Sequence, residues 1–321
     1  MLDITIEQAY LMKALEYLEP TVGKNANGLG DNCVSIKTTG NGSVTMFTTN
    51  TIEFTELEVI VANGGTTQEQ APLVDFKRFK SIISTIPVNE IITLKASVND
   101  MLINFGLKKT PIKLVGCTSG IIPLPNNQFP VDIVSVPKDL IKQALSNVCS
   151  VVSDNDASPI YNCMRIFTDR NIVEVTAVDV TDKRTFVHTG LAVCNNPAQE
   201  ILIEASKLKK SMRLFEDFNE MEFSMDNNMI RVEASDPKAA ANQKTKGMVS
   251  DIRYYCRRLS GAFPTNIKTS FYPQPKEYLE INKEELSESF MRAKAIEDQT
   301  SSGLVRKQAS LLLERIQRMV R

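Results

Sequence analysis

The chain of 321 residues repeats itself with a period of about 130 residues. Residues 33–36 (CVSI) are answered 130 positions later by residues 163–166 (CMRI), and residues 4–6 (ITI) by residues 134–136 (VSV). Solenoid repeats have periods of about 20–50 residues, so a unit this long is a whole domain. Two similar domains in one chain predict a symmetric assembly rather than a single active site.

A third copy begins near residue 279 and stays short. Residues 279–281 (LEI) and a helical pattern over residues 283–294 match the start of the other copies, but only 44 residues remain from Tyr278. The expected domains are therefore 1–131, 132–273 and, as the start of a third domain with a C-terminal helix, 274–321.

Each complete copy has the pattern strand, helix, strands, helix, strands. Alternating β-branched residues at 44–49 and 172–177 follow turn-forming clusters, and the next apolar runs are placed to form hairpins with them. The helices are amphipathic: Leu11, Ala14, Leu15 and Leu18 share one face of the first. Two such helices lying on an antiparallel sheet give an α+β fold class for each repeated domain.

Composition excludes several classes of protein. Apolar residues make up 42% of the chain and charged residues 23%, as in ordinary globular proteins. No apolar run approaches the ~18 residues of a membrane span, and residues 1–3 do not resemble a signal peptide. The six cysteines are scattered without a CxxC pair, which favours buried thiols in a reducing compartment. We expect a cytoplasmic protein without a membrane partner.

The basic residues of the helices carry the functional hint. The chain has 37 basic and 38 acidic residues, so binding to a polyanion requires charge segregated onto one surface. Lys207, Lys210 and Arg213 follow one another at steps of three, and at an offset of 130 the first two correspond to Lys77 and Lys80. Acidic residues fall instead in predicted strands and loops. Although any single lysine fits a solvated helix face, their recurrence suggests contact with phosphates.

The ordered set of segments resembles the bacterial sliding clamps, the beta subunits of DNA polymerase III. The resemblance rests on four segments that occur in the same order as in that family: residues 4–18, the helix entry 73–79 (LVDFKRF), Phe-Pro at 129–130 and 263–264, and residues 176–179 (TAVD) followed by Arg184. It covers residues 1 to about 300. No single motif is specific, and the order and the repeat period carry the resemblance.

The resemblance implies repeated sliding-clamp domains, a homo-oligomeric ring around double-stranded DNA, and no catalysis. Helices would line the hole and contact phosphates without reading sequence, while the ring tethers a DNA polymerase and binds peptide tails of polymerases and clamp loaders. The expected DNA-facing residues are Lys77, Lys80, Lys138, Lys142, Lys207, Lys210 and Arg213. The family's pocket for partner peptides would leave Tyr161, Asn162, Ala177, Asp179, Arg184 and Pro264 in this chain.

Two departures from the family pattern leave an alternative open. The short third copy removes the source of half of the peptide pocket, and about two residues are inserted before Arg184. The alternative is a clamp-derived binding module that engages polymerase or loader proteins without encircling DNA. An apolar stripe predicts a helix over residues 304–321. That helix could pack on the second copy, contact a partner or another subunit, or contact DNA as a basic tail.

The sequence offers little for catalysis or cofactor binding. His188 is the single histidine and lies in a predicted strand without a nearby nucleophile pattern. Asp154, Asp156, Asp179 and Asp182 could suggest a metal site of a nucleic-acid enzyme, but acidic residues at turns explain them better. No phosphate-binding or hydrolase motif occurs. We expect no enzyme activity, no cofactor and no metal.

Overall fold

Apart from the two-residue strands β9 and β14, the two copies are built from the same order of strands and helices. In this computed structural model the first copy has strands β1 (Leu2–Glu7), β2 (Cys33–Thr38), β3 (Ser43–Thr49), β4 (Glu53–Ile60), β5 (Pro72–Asp75), β6 (Ile91–Ala96), β7 (Asp100–Phe105), β8 (Ile112–Val115) and β9 (Thr118–Ser119). The second has β10 (Val134–Pro137), β11 (Cys163–Asp169), β12 (Ile172–Asp179), β13 (Arg184–Leu191), β14 (Val193–Cys194), β15 (Gln199–Glu204), β16 (Glu220–Met225), β17 (Met229–Ser235) and β18 (Val249–Arg257). The helices are α1 (Gln8–Leu18), α2 (Phe76–Ser84), α3 (Lys138–Val148) and α4 (Ala205–Ser211). Short 3₁₀ helices occur at Glu19–Thr21, Pro159–Asn162 and Met212–Phe215.

The structure describes most of the two copies and little beyond them. The described residues are 2–23, 30–39, 42–61, 72–96, 100–106, 111–115, 118–119, 134–148, 151–152, 159–179, 184–191, 193–194, 199–226, 228–235, 249–259, 261–263, 287–289 and 291–292. Residues 1–265 form one compact unit and residues 266–321 a second. The expected boundary near residue 131 therefore stays a prediction, and the expected C-terminal helix over 304–321 lies outside the described residues. Residues 287–289 and 291–292 are helical, within the stretch 283–294 where a helix was expected.

The described strands form three antiparallel sheets. The first copy contributes a four-stranded sheet in the order β1-β6-β7-β8, and the second a sheet in the order β13-β12-β11-β15. The remaining strands form one ten-stranded sheet, β14-β10-β16-β17-β18-β4-β3-β2-β5-β9, which runs through both copies. The hairpins expected from residues 44–49 and 172–177 are present, as β3 with β4 and β12 with β13.

Antiparallel pairing of β4 with β18 joins the two copies. Seven residue pairs link the strands, from Glu53 opposite Cys256 to Val59 opposite Val249, with one irregularity near Val249. Residues of β4 alternate between buried and half-buried, as a strand with one face on the core requires. The copies therefore share a continuous backbone ladder rather than a flexible tether.

Strand register corrects the expected offset between the copies. Cys33 lies opposite Asp75, whereas its counterpart Cys163 lies opposite Glu204, so the second helices are offset by 129 residues and not by 130. Asp75 and Glu204 also occupy the same position before their helices. Lys77 thus corresponds to Ser206 rather than to Lys207. The positions that are basic in both copies are Arg78 with Lys207, and Lys80 with Lys209.

The core lies between the sheets and the helices. Residues four apart on α1, Leu11 and Leu15, are fully buried, as expected from their spacing. Gly190 of β13 lies against Leu140 of α3, and a Cβ there would come within 1.9 Å of Leu140 Cδ1. Absence of a side chain at Gly190 therefore lets α3 pack closely on the sheet. None of the described helices is long and apolar enough to cross a membrane.

Candidate nucleic-acid interface

The helices of both copies form one layer. α1 packs on α2, α3 packs on α4, and α1 and α4 face each other across a cleft of about 750 Å³ at the boundary between the copies. The cleft is lined by Glu16, Tyr17, Glu19, Pro20, Val152, Ala205, Ser206, Lys209, Arg213 and Leu214. Charged side chains of both copies thus meet at this cleft.

All charged residues in the second helix of each copy are basic. α2 has the sequence FKRFKSIIS and α4 the sequence ASKLKKS. Asp75 caps α2 by accepting a hydrogen bond at Oδ1 from the Arg78 backbone N–H (2.8 Å). That cap begins the helix so that Lys77 and Arg78 are exposed. Arg78 is a basic position that the sequence reasoning missed because of the one-residue error in offset.

Two of the expected DNA-facing lysines have compensated charges. Lys80 Nζ lies 2.8 Å from a carboxylate oxygen of Glu19, and its side chain is only 23% exposed. Lys207 Nζ lies 2.7 Å from a carboxylate oxygen of Glu204. Burial alone would raise the pKa of Glu204, but hydrogen bonds from Lys207 and Ser206 outweigh it and lower that pKa. Both lysines are therefore poorer phosphate ligands than their sequence positions suggest.

Other basic residues are exposed without a compensating charge. Lys77, Lys142, Lys209 and Arg213 are exposed and make no ion pair with another described residue. Lys209, the counterpart of Lys80, was also missed by the sequence reasoning. Of Lys210 the structure describes only the backbone, in α4.

Lys138 has a structural contact as well as a charge. Its ammonium donates a hydrogen bond to the backbone oxygen of Glu216 (2.7 Å), beyond the end of α4. At the same place in the first copy, Gln8 Nε2 donates to the backbone oxygen of Ile83 (3.0 Å) in α2. Each contact joins the first helix of a copy to the end of its second helix, so Lys138 orients the helix layer.

A cluster of polar side chains crosses the boundary beside the cleft. The Tyr17 hydroxyl of α1 donates a hydrogen bond to the Asp217 carboxylate of the second copy, and Lys13 forms an ion pair with the same carboxylate. These hydrogen bonds lower the pKa of Asp217, while burial and Asp217 raise the pKa of Tyr17. The boundary is thus closed by side chains on the helical side and by β4·β18 on the sheet side.

The opposite face of the shared sheet is rich in carboxylates. Glu56 and Glu233 both contact Arg253, at 3.5 Å and 3.4 Å. Burial, followed by the charge of Glu233, raises the pKa of Glu222, and burial with Glu58 raises the pKa of Asp251. Carboxylates crowd one another on this face, whereas the exposed charges of α2 and α4 are basic.

The residues expected for the peptide pocket are only partly described. Tyr161 and Asn162 are half-buried in the 3₁₀ helix that packs on β11, β12 and β15, and Asn162 Oδ1 is buried without a hydrogen-bond partner in the described chain. Ala177 is fully buried in the core. Asp179 and Arg184 lie opposite each other on β12 and β13, but their side chains, like all of Pro264, lie outside the described structure. The pocket therefore stays a prediction, and Ala177 could only support it from behind.

Beside these residues lies a buried arginine with acidic and aromatic neighbours, which the sequence reasoning missed. Arg165 of β11 is nearly buried between Glu174 (3.3 Å) and Glu200 (2.9 Å). Its guanidinium stacks on Phe167 and lies 5.9 Å from the ring centre of Phe263. The predicted Phe-Pro at the end of the second copy thus begins with a residue that covers the outer face of the β11 sheet. No local sequence pattern distinguishes such an arginine from an exposed one.

The described cysteines are packing residues. Cys163 and Cys256 are fully buried, and burial raises the pKa of each thiol to about 12. Among the described residues no group of three or more potential metal ligands occurs. His188 lies in β13 as expected, and Asp154, Asp156 and Asp182 lie outside the described residues.

The arrangement of two repeated domains is shared with solved structures. The DNA polymerase sliding clamp from Bacillus subtilis superposes with a TM-score of 0.71 at 14% identity, over 94% of this chain and 75% of that one. The DNA polymerase III beta chain from Streptococcus pneumoniae gives 0.70 at 18% identity, over 94% and 76%.

The chain has the sliding-clamp fold. A third match is the Helicobacter pylori beta clamp bound to a DNA ligase peptide, with a TM-score of 0.69 at 15% identity over 92% of this chain and 75% of that one. No protein-family model and no curated protein matches the sequence. The expected fold class, repeated α+β clamp domains, is confirmed.

Proposed function

We propose that the protein is a DNA sliding clamp, a non-catalytic ring that encircles duplex DNA and tethers a polymerase. The observation that carries this proposal is the β4·β18 junction, because it is an edge-to-edge contact between two copies of one domain. Repeating such a contact generates a ring when its rotation closes after a whole number of domains.

The junction has the chemistry of a specific interface. Tyr254 donates a hydrogen bond from its hydroxyl to Glu53 Oε1 (2.6 Å), and both residues are buried. Ser250 Oγ donates to the backbone oxygen of Glu58 (3.2 Å). Buried polar groups that are satisfied across a strand pair fix its register.

Each copy has one further sheet edge, equivalent to one of the two strands that pair in the internal junction. β13 has in the second copy the place of β4, as the third strand after the first helix, and β8 has in the first copy the place of β18. Among the described strands, β8 and β13 are the last strands of their sheets. Pairing β8 of one chain with β13 of another would reproduce the internal junction and leave the same pair of edges at the ends. Head-to-tail contacts of this kind form a ring when their rotation closes.

The internal junction also predicts the register of that contact. Phe54 lies opposite Tyr255 in the junction. Thr185 and Phe54 are counterparts, because each is paired with the corresponding residue of the strand that precedes its own in the chain. By the same criterion, Lys113 in the first copy is the counterpart of Tyr255 in the second. The expected contact between subunits therefore has Thr185 opposite Lys113.

Charge distribution supports duplex DNA as the occupant of the ring. Exposed, uncompensated basic residues lie on the helices, whereas carboxylates crowd the opposite face of the shared sheet. Phosphate contacts of this kind bind without reading sequence and exchange freely along the duplex. The ligase peptide on the Helicobacter pylori clamp supports a tethering role in which polymerase and loader peptides bind near Tyr161 and Asn162.

Mass in solution tests ring formation. One chain has a mass of 35.8 kDa, so a closed ring of two or three subunits has a native mass near 72 or 107 kDa. The proposal expects one such species at micromolar concentration. A monomer at every concentration would instead support the clamp-derived binding module that does not encircle DNA.

Cross-linking tests the proposed edges. In a Lys113→Cys, Thr185→Cys variant, mild oxidation should link subunits covalently, because directly opposite residues of paired strands bring their Cβ atoms within about 4.5–5.5 Å. Each single variant is a control for the native thiols. Lys113→Cys with Val187→Cys is the register control, since diagonal neighbours lie about 7–8 Å apart at Cα. Equal cross-linking in the control would contradict the register.

A further inference from the structure

The cleft between the two copies has walls of opposite charge. α4 and the 3₁₀ helix after it supply Lys209 and Arg213 on one side, while α1 and the 3₁₀ helix after it supply Glu16 and Glu19 on the other. Val152 and Leu214 are apolar residues of the lining. The cleft opens within the helix layer, where the proposed function places the duplex.

The basic wall is arranged to hold one anionic group. Ser206, Lys209 and Arg213 all line the cleft, the first two from α4 and Arg213 from the 3₁₀ helix that follows it. Lys209 and Arg213 are exposed and make no ion pair with another described residue. Their donors are therefore available for a phosphate oxygen, and an arginine can bind such a group with two parallel hydrogen bonds.

The acidic wall acts in two ways. Glu16 is exposed and makes no ion pair with another described residue, so its charge acts directly on an approaching phosphate. Glu19 forms its 2.8 Å ion pair with Lys80 and thereby neutralises a basic residue of α2. The charged residues of α1 itself are Lys13, which is paired with Asp217, and Glu16, so α1 presents no net positive charge to the duplex.

We propose that Lys209 and Arg213 hold the phosphate backbone at the boundary from the second copy's side, that Glu16 keeps the backbone off α1, and that Glu19 withholds Lys80 of α2 from the backbone. This inference rests on the proposed function and adds a repulsive element to it. The duplex then crosses the boundary asymmetrically, in contact with α4 and not with α1. Repulsion at one wall limits how tightly the backbone is held, which favours sliding over fixed binding.

Salt dependence gives these roles a measurable size. Each phosphate contact adds about 0.9 to the slope of log affinity against log salt on duplex DNA. Replacing a lysine or arginine that contacts phosphate therefore lowers that slope by about 1 and weakens binding of all sequences alike. Removing a repulsive carboxylate should have the opposite sign, because like charges within a Debye length of about 8 Å still interact at physiological salt.

The test measures binding of the full chain to a labelled linear duplex by fluorescence anisotropy between about 50 and 200 mM salt. Lys209→Gln and Arg213→Gln should each weaken binding several-fold and lower the slope. Glu16→Gln should tighten binding by a similar factor. Glu19→Gln should also tighten it, and this gain should disappear in Glu19→Gln, Lys80→Gln, since the gain comes from releasing Lys80.

Control substitutions of the same kind, lysine or glutamate to glutamine, can be made on the outer faces of the sheets. Lys37→Gln in β2 and Glu220→Gln in β16 change exposed charges on outward-facing positions and should leave affinity unchanged. If the wild-type chain binds duplex but Glu16→Gln and Glu19→Gln match the Glu220→Gln control, the acidic wall has no such role and only this inference is overturned. If the wild-type chain binds no duplex at low salt, the proposed function itself is wrong.

Discussion

Removing the Tyr254 hydroxyl should destabilise the β4·β18 junction between the copies. Tyr254 is 1% exposed and Glu53 is 5% exposed, and their oxygens lie 2.6 Å apart across β4·β18. Tyr254→Phe keeps the ring and leaves no cavity beyond one oxygen. Glu53 then loses a charge-assisted hydrogen bond in a buried place, although Asn50 Nδ2 still donates to it at 2.8 Å.

The expected cost is about 2 kcal/mol, within the ~1.5–3 kcal/mol that hydrogen bonds to charged groups contribute. A folding unit of this size changes its melting temperature by roughly 2–4 °C per kcal/mol, so the melting temperature should fall by about 4–8 °C. Thermal unfolding followed by circular dichroism at neutral pH measures the shift.

Tyr255→Phe is the matched control. Its hydroxyl donates to Glu56 at 3.3 Å on the outer face, where the carboxylate stays partly hydrated. A weaker, more exposed hydrogen bond contributes about 0.5–1 kcal/mol. The reasoning is refuted if Tyr254→Phe costs no more than Tyr255→Phe.

Three further predictions concern packing, pH and reactivity. Gly190→Ala should cost about 1–3 kcal/mol in denaturant unfolding because its Cβ meets Leu140, and Leu140→Ala in the same background should recover part of the loss; unchanged stability would contradict the packing. Because burial and neighbouring carboxylates raise the pKa of Glu222, its contribution to stability is lost as pH rises through that pKa, so Glu222→Gln should raise the melting temperature at pH 7 but not at pH 3. Cys163 and Cys256, with pKa values raised to about 12, should resist alkylation at pH 8 in the native protein and react after unfolding, as peptide mass spectrometry would show.

Local pattern was enough to predict the elements of each copy. The repeat predicted a helix after the first strand of each copy, as α1 and α3 show, and the spacing of Leu11, Leu15 and Leu18 placed the buried face of α1. The steps of three from Lys207 through Lys210 to Arg213 predicted one helix, but the chain tightens to a 3₁₀ helix at Met212. Periodicity cannot separate these two helical forms over a single turn.

Contacts between distant residues could not be predicted in the same way. The β4·β18 junction joins residues about 200 positions apart, and no turn chemistry specifies it. The ion pair of Lys80 with Glu19 likewise depends on how α2 and the end of α1 meet in the fold. Before α4 the second copy is one residue shorter than the first, and only the strand pairing reveals this difference. As a consequence Lys209, and not Lys210, occupies a position that is basic in both copies.

Topological release from DNA tests the central claim most directly. Subunits assembled in the presence of a nicked circular plasmid should coelute with it on gel filtration at a salt concentration that abolishes simple phosphate contacts. Cutting the plasmid once should release the protein, because a ring slides off a free end. Equal retention on circular and linear plasmid, or no retention on either, would contradict the account.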